Sequence, residues 1–287
     1  MESRIVWPLA AQLGEGPLWV AEDAALWFVD IKGHAIHRFD PGTCTGTSYP
    51  VDGPASFLVL AADGGLLVGV RGHLHRFRDG MLSPAIAAID MPAHNRTNDA
   101  TVDGRGRLWF GTMDDNETLA TGAVHVFDGR DIRAVGGECV ITNGPATSPD
   151  GRFLYHVDTL GRTVTRFDIS SSDTLSDGEP FIAIEDGAGH PDGVSVDAEG
   201  CVWIALWGGW GVRRYAPDGT LLAKVALPVP NVTKVAFGGT DLRTAYATTA
   251  WKGLSDEERA AAPLAGGLFA FDAPAPGLPA NAVTVSA

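Results

Sequence analysis

The sequence predicts an all-β fold, a six-bladed β-propeller with a central channel, and three observations carry that expectation. Long stretches of helical periodicity are missing. The 36 glycines and 18 prolines are spread over all 287 residues rather than gathered into linkers. A unit of short apolar strand, turn rich in Asp and Gly, and second strand with an aromatic recurs six times, at roughly 40 to 48 residues, which suits four strands per blade.

The second strands read Leu26-Trp27-Phe28, Leu66-Leu67-Val68, Leu108-Trp109-Phe110, Leu154-Tyr155-His156, Val202-Trp203-Ile204 and Ala245-Tyr246-Ala247. Turns before them include Asp63-Gly64-Gly65, Asp103-Gly104, Asp150-Gly151 and Glu199-Gly200. Third strands follow, such as Ala35 to Phe39, His73 to Phe77, Ala123 to Phe127 and Val164 to Phe167. A propeller must close its ring, so the N-terminal strand from Arg4 to Leu9 is expected to pair with the final blade. One helix is expected near Ser255 to Ala262, with Ser255 as cap and Glu258 three residues on, as an insertion in the last blade. The competing architecture is a two-sheet sandwich; the even repeat count and the need for ring closure favour the propeller. The whole chain, 1–287, is read as one domain.

Hydrophobic residues make up 45% and charged residues 20%, the balance of a globular protein. The net charge of −14 argues against nucleic acid and anionic membrane as partners. Cys44, Cys139 and Cys201 are far apart and form no CxxC, so neither a disulfide framework nor a thiolate zinc site is expected, and a reducing cytoplasm fits best. The residues from Met1 to Ala11 show no signal-peptide pattern, and no apolar run reaches membrane-spanning length.

Three polar motifs open three of the repeats: Gly14-Glu15-Gly16-Pro17, Thr142-Asn143-Gly144-Pro145 and Pro191-Asp192-Gly193. Each precedes the apolar doublet of a second strand by about ten residues, and equivalent positions of a circular repeat face one axis. Glu15, Asn143 and Asp192 would then converge on an all-oxygen site suited to a divalent metal. Blade by blade, the channel-mouth positions are Glu15, about Ser56, Asn98, Asn143, Asp192 and about Lys234. Flanking Gly and Pro fix the backbone and aim the side chains. Taken singly, Pro-Asp-Gly is also a plain turn signal and Asn-Gly a left-handed turn. No Gly-x-Ser-x-Gly elbow, P-loop or HExxH is present, and His37, His75 and His125 read as sheet residues; none of the eight histidines is taken as a ligand.

The chain resembles the family of senescence marker protein 30 (regucalcin), gluconolactonase and luciferin-regenerating enzyme. The resemblance rests on Leu13 to Trp19, Phe28 to Ile31, Asn95 to Asp99, Phe110 to Met113, Ile141 to Gly144, Pro191 to Gly193, Phe237 to Gly239 and Ala265 to Phe269. The stretches Ile141 to Pro145, Ala205 to Gly209 and Asn231 to Lys234 look most like bacterial sugar lactonases. The resemblance implies a six-bladed propeller, one divalent metal and hydrolysis of a lactone ester. It implies Glu15, Asn143 and Asp192 as metal ligands and Arg96 and Asn98 as substrate contacts. A further acidic contact is implied after Gly-Thr-Met, where Asp114, Asp115, Asn116 and Glu117 all stand as candidates. Asp158 is a possible neighbour of the site, and Trp207 and Trp210 a possible apolar wall for a sugar ring.

The mechanism expected is attack of water on a metal-polarised lactone carbonyl, with Asp192 as catalytic base. A metal-bound carboxylate is a weak base, so either its second oxygen takes the proton or it only orients an attacking hydroxide. The donor set admits Ca²⁺, Mg²⁺, Mn²⁺, Fe²⁺ or Zn²⁺. The expected substrate is a small aldonolactone such as xylono-, arabino- or gluconolactone. The alternatives are a non-catalytic divalent-metal-binding regulatory protein and a protein-interaction platform. The Arg96/Asn98 pair discriminates among them, because a metal buffer needs no substrate clamp.

Overall fold

A computed structural model of the chain describes residues 1–171, 174–175 and 177–285. Six antiparallel sheets form the blades of a β-propeller. The N-terminal strand β1 (Arg4–Trp7) belongs to the last blade. Blade one is β2 (Gly14–Val20), β3 (Ala25–Asp30), β4 (Ala35–Asp40) and β5 (Thr45–Pro50). Blade two is β6 (Ala55–Ala61), β7 (Leu66–Val70), β8 (His73–Arg78) and β9 (Met81–Ala88). Blade three is β10 (Asn95–Val102), β11 (Leu108–Asp114), β12 (Gly122–Phe127) and β13 (Ile132–Cys139). Blade four is β14 (Thr142–Thr147), β15 (Phe153–Asp158), β16 (Thr163–Asp168) and β17 (Glu179–Ala183). Blade five is β18 (His190–Val196), β19 (Val202–Trp207), β20 (Gly211–Tyr215) and β21 (Leu221–Ala226). Blade six joins β22 (Asn231–Gly238), β23 (Thr244–Ala250) and β24 (Leu268–Asp272) to β1, which pairs antiparallel with β24. The expected ring closure is therefore present.

The core lies between blades, where inward faces of successive sheets meet. Trp109, Trp203, Phe28, Phe110, Phe269 and Phe271 are among its fully buried side chains. Two of the tryptophans are fixed by buried carboxylates in equivalent turns: Nε1 of Trp109 donates to Asp103 at 2.8 Å and Nε1 of Trp203 to Asp197 at 2.9 Å. Polar ends of large rings are thereby satisfied while their bodies pack.

The helix α1 (Asp256–Ala261) sits between β23 and β24, with Ser255 and Glu258 forming a reciprocal capping box. A short strand β25 (Ala282–Val283), without counterpart in the sequence expectation, pairs parallel with β6. The segment leading to it runs from blade five, where Gly277 bridges to Asp197, towards blade three, where the Asn281 amide donates to the Val102 carbonyl at 3.0 Å.

One irregularity is common to every blade. The innermost strand carries one extra residue against its partner, between Glu15 and Leu18, Ala55 and Phe57, Thr97 and Ala100, Asn143 and Ala146, Pro191 and Val194, and Val232 and Lys234. A β-bulge bends its strand and re-aims side chains. Six in register around the ring turn the channel-facing residues of one level towards the axis.

Candidate metal centre and active site

Glu15, Asn143 and Asp192 stand at three of these bulges, and all three are buried and line one cavity of about 230 Å³. Gly16 adopts φ +54°, a conformation that lets the chain turn directly after Glu15 while the Gly16 N–H donates to the Glu15 carboxylate at 2.9 Å. Gly193 serves the other need for glycine: a Cβ there would lie 2.5 Å from the Lys234 Cβ and 2.6 Å from the Thr233 carbonyl of the next blade.

The amide of Asn143 is oriented from both sides. Its Nδ2 donates to the Thr159 hydroxyl at 3.0 Å, and its Oδ1 accepts from Asn98 Nδ2 at 2.9 Å. Asn98 Nδ2 also donates to the Thr142 carbonyl at 2.8 Å, so both amide protons of Asn98 are used within the chain. Arg96 completes the chain, donating from Nη1 to Asn98 Oδ1 at 2.6 Å and from Nε to Asp115 at 2.7 Å. Asp115 is held in turn by Lys32 of blade one, also at 2.7 Å.

The electrostatics of this pocket are set by its buried carboxyls. Burial, and then the Asp99 carboxylate, push the Glu15 carboxyl up to about 8. Burial, then Glu15 and Asp99, hold Asp192 well above the ordinary carboxylate range. Asp192 accepts no hydrogen bond among the described residues. Two buried, under-bonded carboxyls beside an oriented carboxamide oxygen are costly to ionise unless a cation joins them. The donor set thus fits a hard or borderline divalent ion.

The structure separates the four candidates after Gly-Thr-Met, three acidic residues and Asn116. Asp114 is spent on its own turn, accepting from the backbone of Asn116, Thr118 and Leu119. Asp115 braces Arg96, and Asn116 bonds to Asp114. Glu117, at φ +60°, lines the cavity and ion-pairs with Lys252 of blade six. Asp158 does not line the cavity; it accepts from Gly161 N–H at 3.0 Å, and the next residue, Thr159, faces the site instead. Trp207 lines the cavity with Leu13, Met113, Ile141 and Leu160, whereas Trp210 is exposed outside it. His190, set aside with the other histidines, also lines it and contacts the Thr159 carbonyl through Nδ1 at 3.2 Å. Thr159, Leu160, His190 and Lys252 are the lining residues that sequence reasoning missed.

A second cluster brings ligand atoms of Asp197, Glu199 and Cys201 within 4.8 Å of one another. Asp197 is saturated there by two backbone N–H groups, the Trp203 indole and Arg214, and Arg214 also holds Glu199 at 2.7 Å. With its charges already paired, this cluster is a strut of blade five.

Known proteins place the fold and the site in context. Residues 13–251 match the model of the SMP-30/gluconolactonase/LRE-like region. A 6-deoxy-6-sulfogluconolactonase of Pseudomonas putida is 33% identical over 279 residues, 92% of each chain. A pentonolactonase of Haloferax volcanii is 34% identical over 278 residues, 94% of each chain. Among solved structures, a calcium-binding protein, regucalcin, from Agrobacterium tumefaciens superposes with a TM-score of 0.92 at 27% identity, covering 98% of this chain and 96% of its own. On fold, motifs and full-length similarity, the chain belongs to the SMP-30/gluconolactonase/LRE-like family.

Proposed function

We propose that this protein, acting as one domain over residues 1–287, hydrolyses a sugar-acid lactone to its open aldonic acid. The substrate class is an aldonolactone such as xylono-, arabino- or gluconolactone, and the reaction uses one divalent metal held by Glu15, Asn143 and Asp192. The relatives named for lactone hydrolysis support the reaction type. The observation that carries the reading is the meeting of three oxygen donors from three blades with the Arg96–Asn98 clamp in one cavity.

When bound, a divalent ion supplies a Lewis acid for the lactone carbonyl and lowers the pKa of a coordinated water. The chain's own residues do the rest. Arg96, braced by Asp115, and Glu117, braced by Lys252, present a fixed donor and a fixed acceptor to the sugar hydroxyls, and such positioning removes orientational entropy from the attack. Asn98 offers the remaining lone pair of Oδ1. Trp207, Met113 and Ile141 cover the apolar face of the ring and exclude water. Asp192 is the group that would take or orient the proton of the attacking water, since its carboxylate accepts no hydrogen bond among the described residues. Water adds to the carbonyl carbon, the ring C–O bond breaks, and the proton passes to the departing ring oxygen.

The similarity to a calcium-binding regucalcin supports a second reading, a non-catalytic metal-binding role on the same scaffold. Acid release from a panel of pentono- and hexonolactones separates the two, and Asp192→Ala is the control. Hydrolysis above the spontaneous rate that Asp192→Ala abolishes supports the lactonase. A folded Asp192→Ala protein with normal turnover contradicts the assignment.

A further inference from the structure

The channel holds two separately lined cavities. Its cavity on the side away from the site, about 580 Å³, shares no lining residue with the 230 Å³ site cavity, yet their linings abut along the chain at Glu15 and Gly16 and at Asn98 and Asp99. At that level Lys234 of blade six reaches across to Asp99 of blade three, the blade opposite. Its Nζ lies 2.7 and 2.6 Å from the two carboxylate oxygens and 3.5 Å from the Ala100 carbonyl, which uses all three ammonium protons. Both side chains are buried.

This pair lies directly beneath the candidate ligands. The Lys234 stem passes so close to Gly193, the neighbour of Asp192, that only glycine fits there. Asp99 follows Asn98, whose amide holds Asn143. Gly16, the neighbour of Glu15, lines the same cavity as both members of the pair. Glu15 and Asp192 thus look down on a fixed ammonium and a fixed carboxylate, in a region too buried for solvent to screen either charge fully.

We propose that Asp99 and Lys234 form a charge-balanced septum beneath the Glu15–Asn143–Asp192 site, in which each charge masks the other's effect on the affinity for the divalent ion, as positioning residues that bind neither ion nor substrate. The inference rests on the metal reading proposed above. Its physical basis is sign. Asp99 alone would attract the ion and Lys234 alone would repel it; bonded together they cancel. Removing one charge must therefore shift metal affinity, and removing both must restore it.

The test is calorimetric titration of the metal-stripped full chain with Mn²⁺ and with Ca²⁺, for wild type, Asp99→Asn, Asp99→Asn/Lys234→Met and Glu15→Gln, with thermal unfolding as a check on the fold. Asp99→Asn leaves the ammonium unpaired beneath the ligands and is expected to weaken binding at least tenfold. The double variant is expected to return to within about threefold of wild type, a recovery that damaged packing would not give. Asp99→Asn affinity equal to wild type, or a double variant as weak as or weaker than the single one, overturns the proposal. If Glu15→Gln abolishes binding while Asp99→Asn does not move it, the metal site stands and the septum falls. If the wild type binds neither ion, both fall.

Discussion

Asn98 of the third blade donates to the amide oxygen of Asn143 in the fourth, at 2.9 Å, and so holds a candidate metal ligand from the neighbouring sheet. The same Asn98 accepts from Arg96, which makes one hydrogen-bonded chain from the proposed substrate clamp to the candidate metal donor. Groups that orient a ligand matter to a metal site on the order of 10- to 100-fold. Asn98→Ala is accordingly expected to weaken metal binding by about tenfold and to lower kcat as well as raise KM. Titration calorimetry and steady-state kinetics on the same preparation check it. A change in KM alone would reduce Asn98 to a substrate contact.

Gly193→Ala tests the close approach of blades five and six. The new methyl would meet the Thr233 carbonyl and the Lys234 stem, so the bulge bearing Asp192 must shift. Displacing a reacting group by about 1 Å costs on the order of a hundredfold in rate. The expected outcome is a folded protein, by far-ultraviolet circular dichroism, with kcat reduced on that order. Full activity would show that the bulge tolerates the methyl.

Buried histidines resist protonation and are expected to subtract stability in acid, a contribution opposite in sign to that of the raised Glu15 and Asp192 carboxyls. Burial lowers both His37 and His156 from the ordinary 6.5 to about 4, and Nε2 of each is buried without a partner. The unfolded chain takes up these protons first, so the contribution of each histidine is full above about pH 6.5 and is lost as pH falls from there towards 4, at up to about 1.4 kcal/mol per pH unit. Urea unfolding at pH 7 and pH 5 measures the loss. His156→Leu should remove its own share of that pH dependence, up to about 1.4 kcal/mol per pH unit; a slope equal to wild type contradicts it.

Ring closure should carry measurable stability. Trp7 at the end of β1 lies against Gly46, stacks on Phe39 with centroids 6.1 Å apart and meets Phe28 edge-on at 5.8 Å. Trp7→Ala is expected to cost about 3 kcal/mol, read from the urea midpoint, while leaving metal affinity unchanged because the site lies at the other edge of the sheet order. A loss below about 1 kcal/mol would show that β1 contributes little.

The propeller was legible because each blade repeats its own strand and turn chemistry. The capping pair Ser255 and Glu258 marked the only helix among the described residues. β25 was not legible, since two paired residues after the proline-rich run from Ala273 to Ala280 carry no alternating pattern. Glu15, Asn143 and Asp192 stood out through Gly and Pro neighbours and through resemblance, Arg96 and Asn98 through resemblance, and all five line one cavity. Thr159 was missed for Asp158 because successive residues at a strand end face opposite ways. Lys252 and His190 sit beyond the repeating motifs, and Lys234 disclosed its partner only when blades three and six were seen face to face. Choosing Glu117 among four candidates required knowing which residues the turn itself consumes.

The most direct test of the metal-dependent lactonase is acid release from a panel of pentono- and hexonolactones after chelation and after adding back single divalent ions, with bound metal counted per chain. The account predicts that hydrolysis disappears with the metal, returns with one ion per chain, and fails to return in Glu15→Gln. Hydrolysis that continues at full rate in the metal-free protein would contradict it.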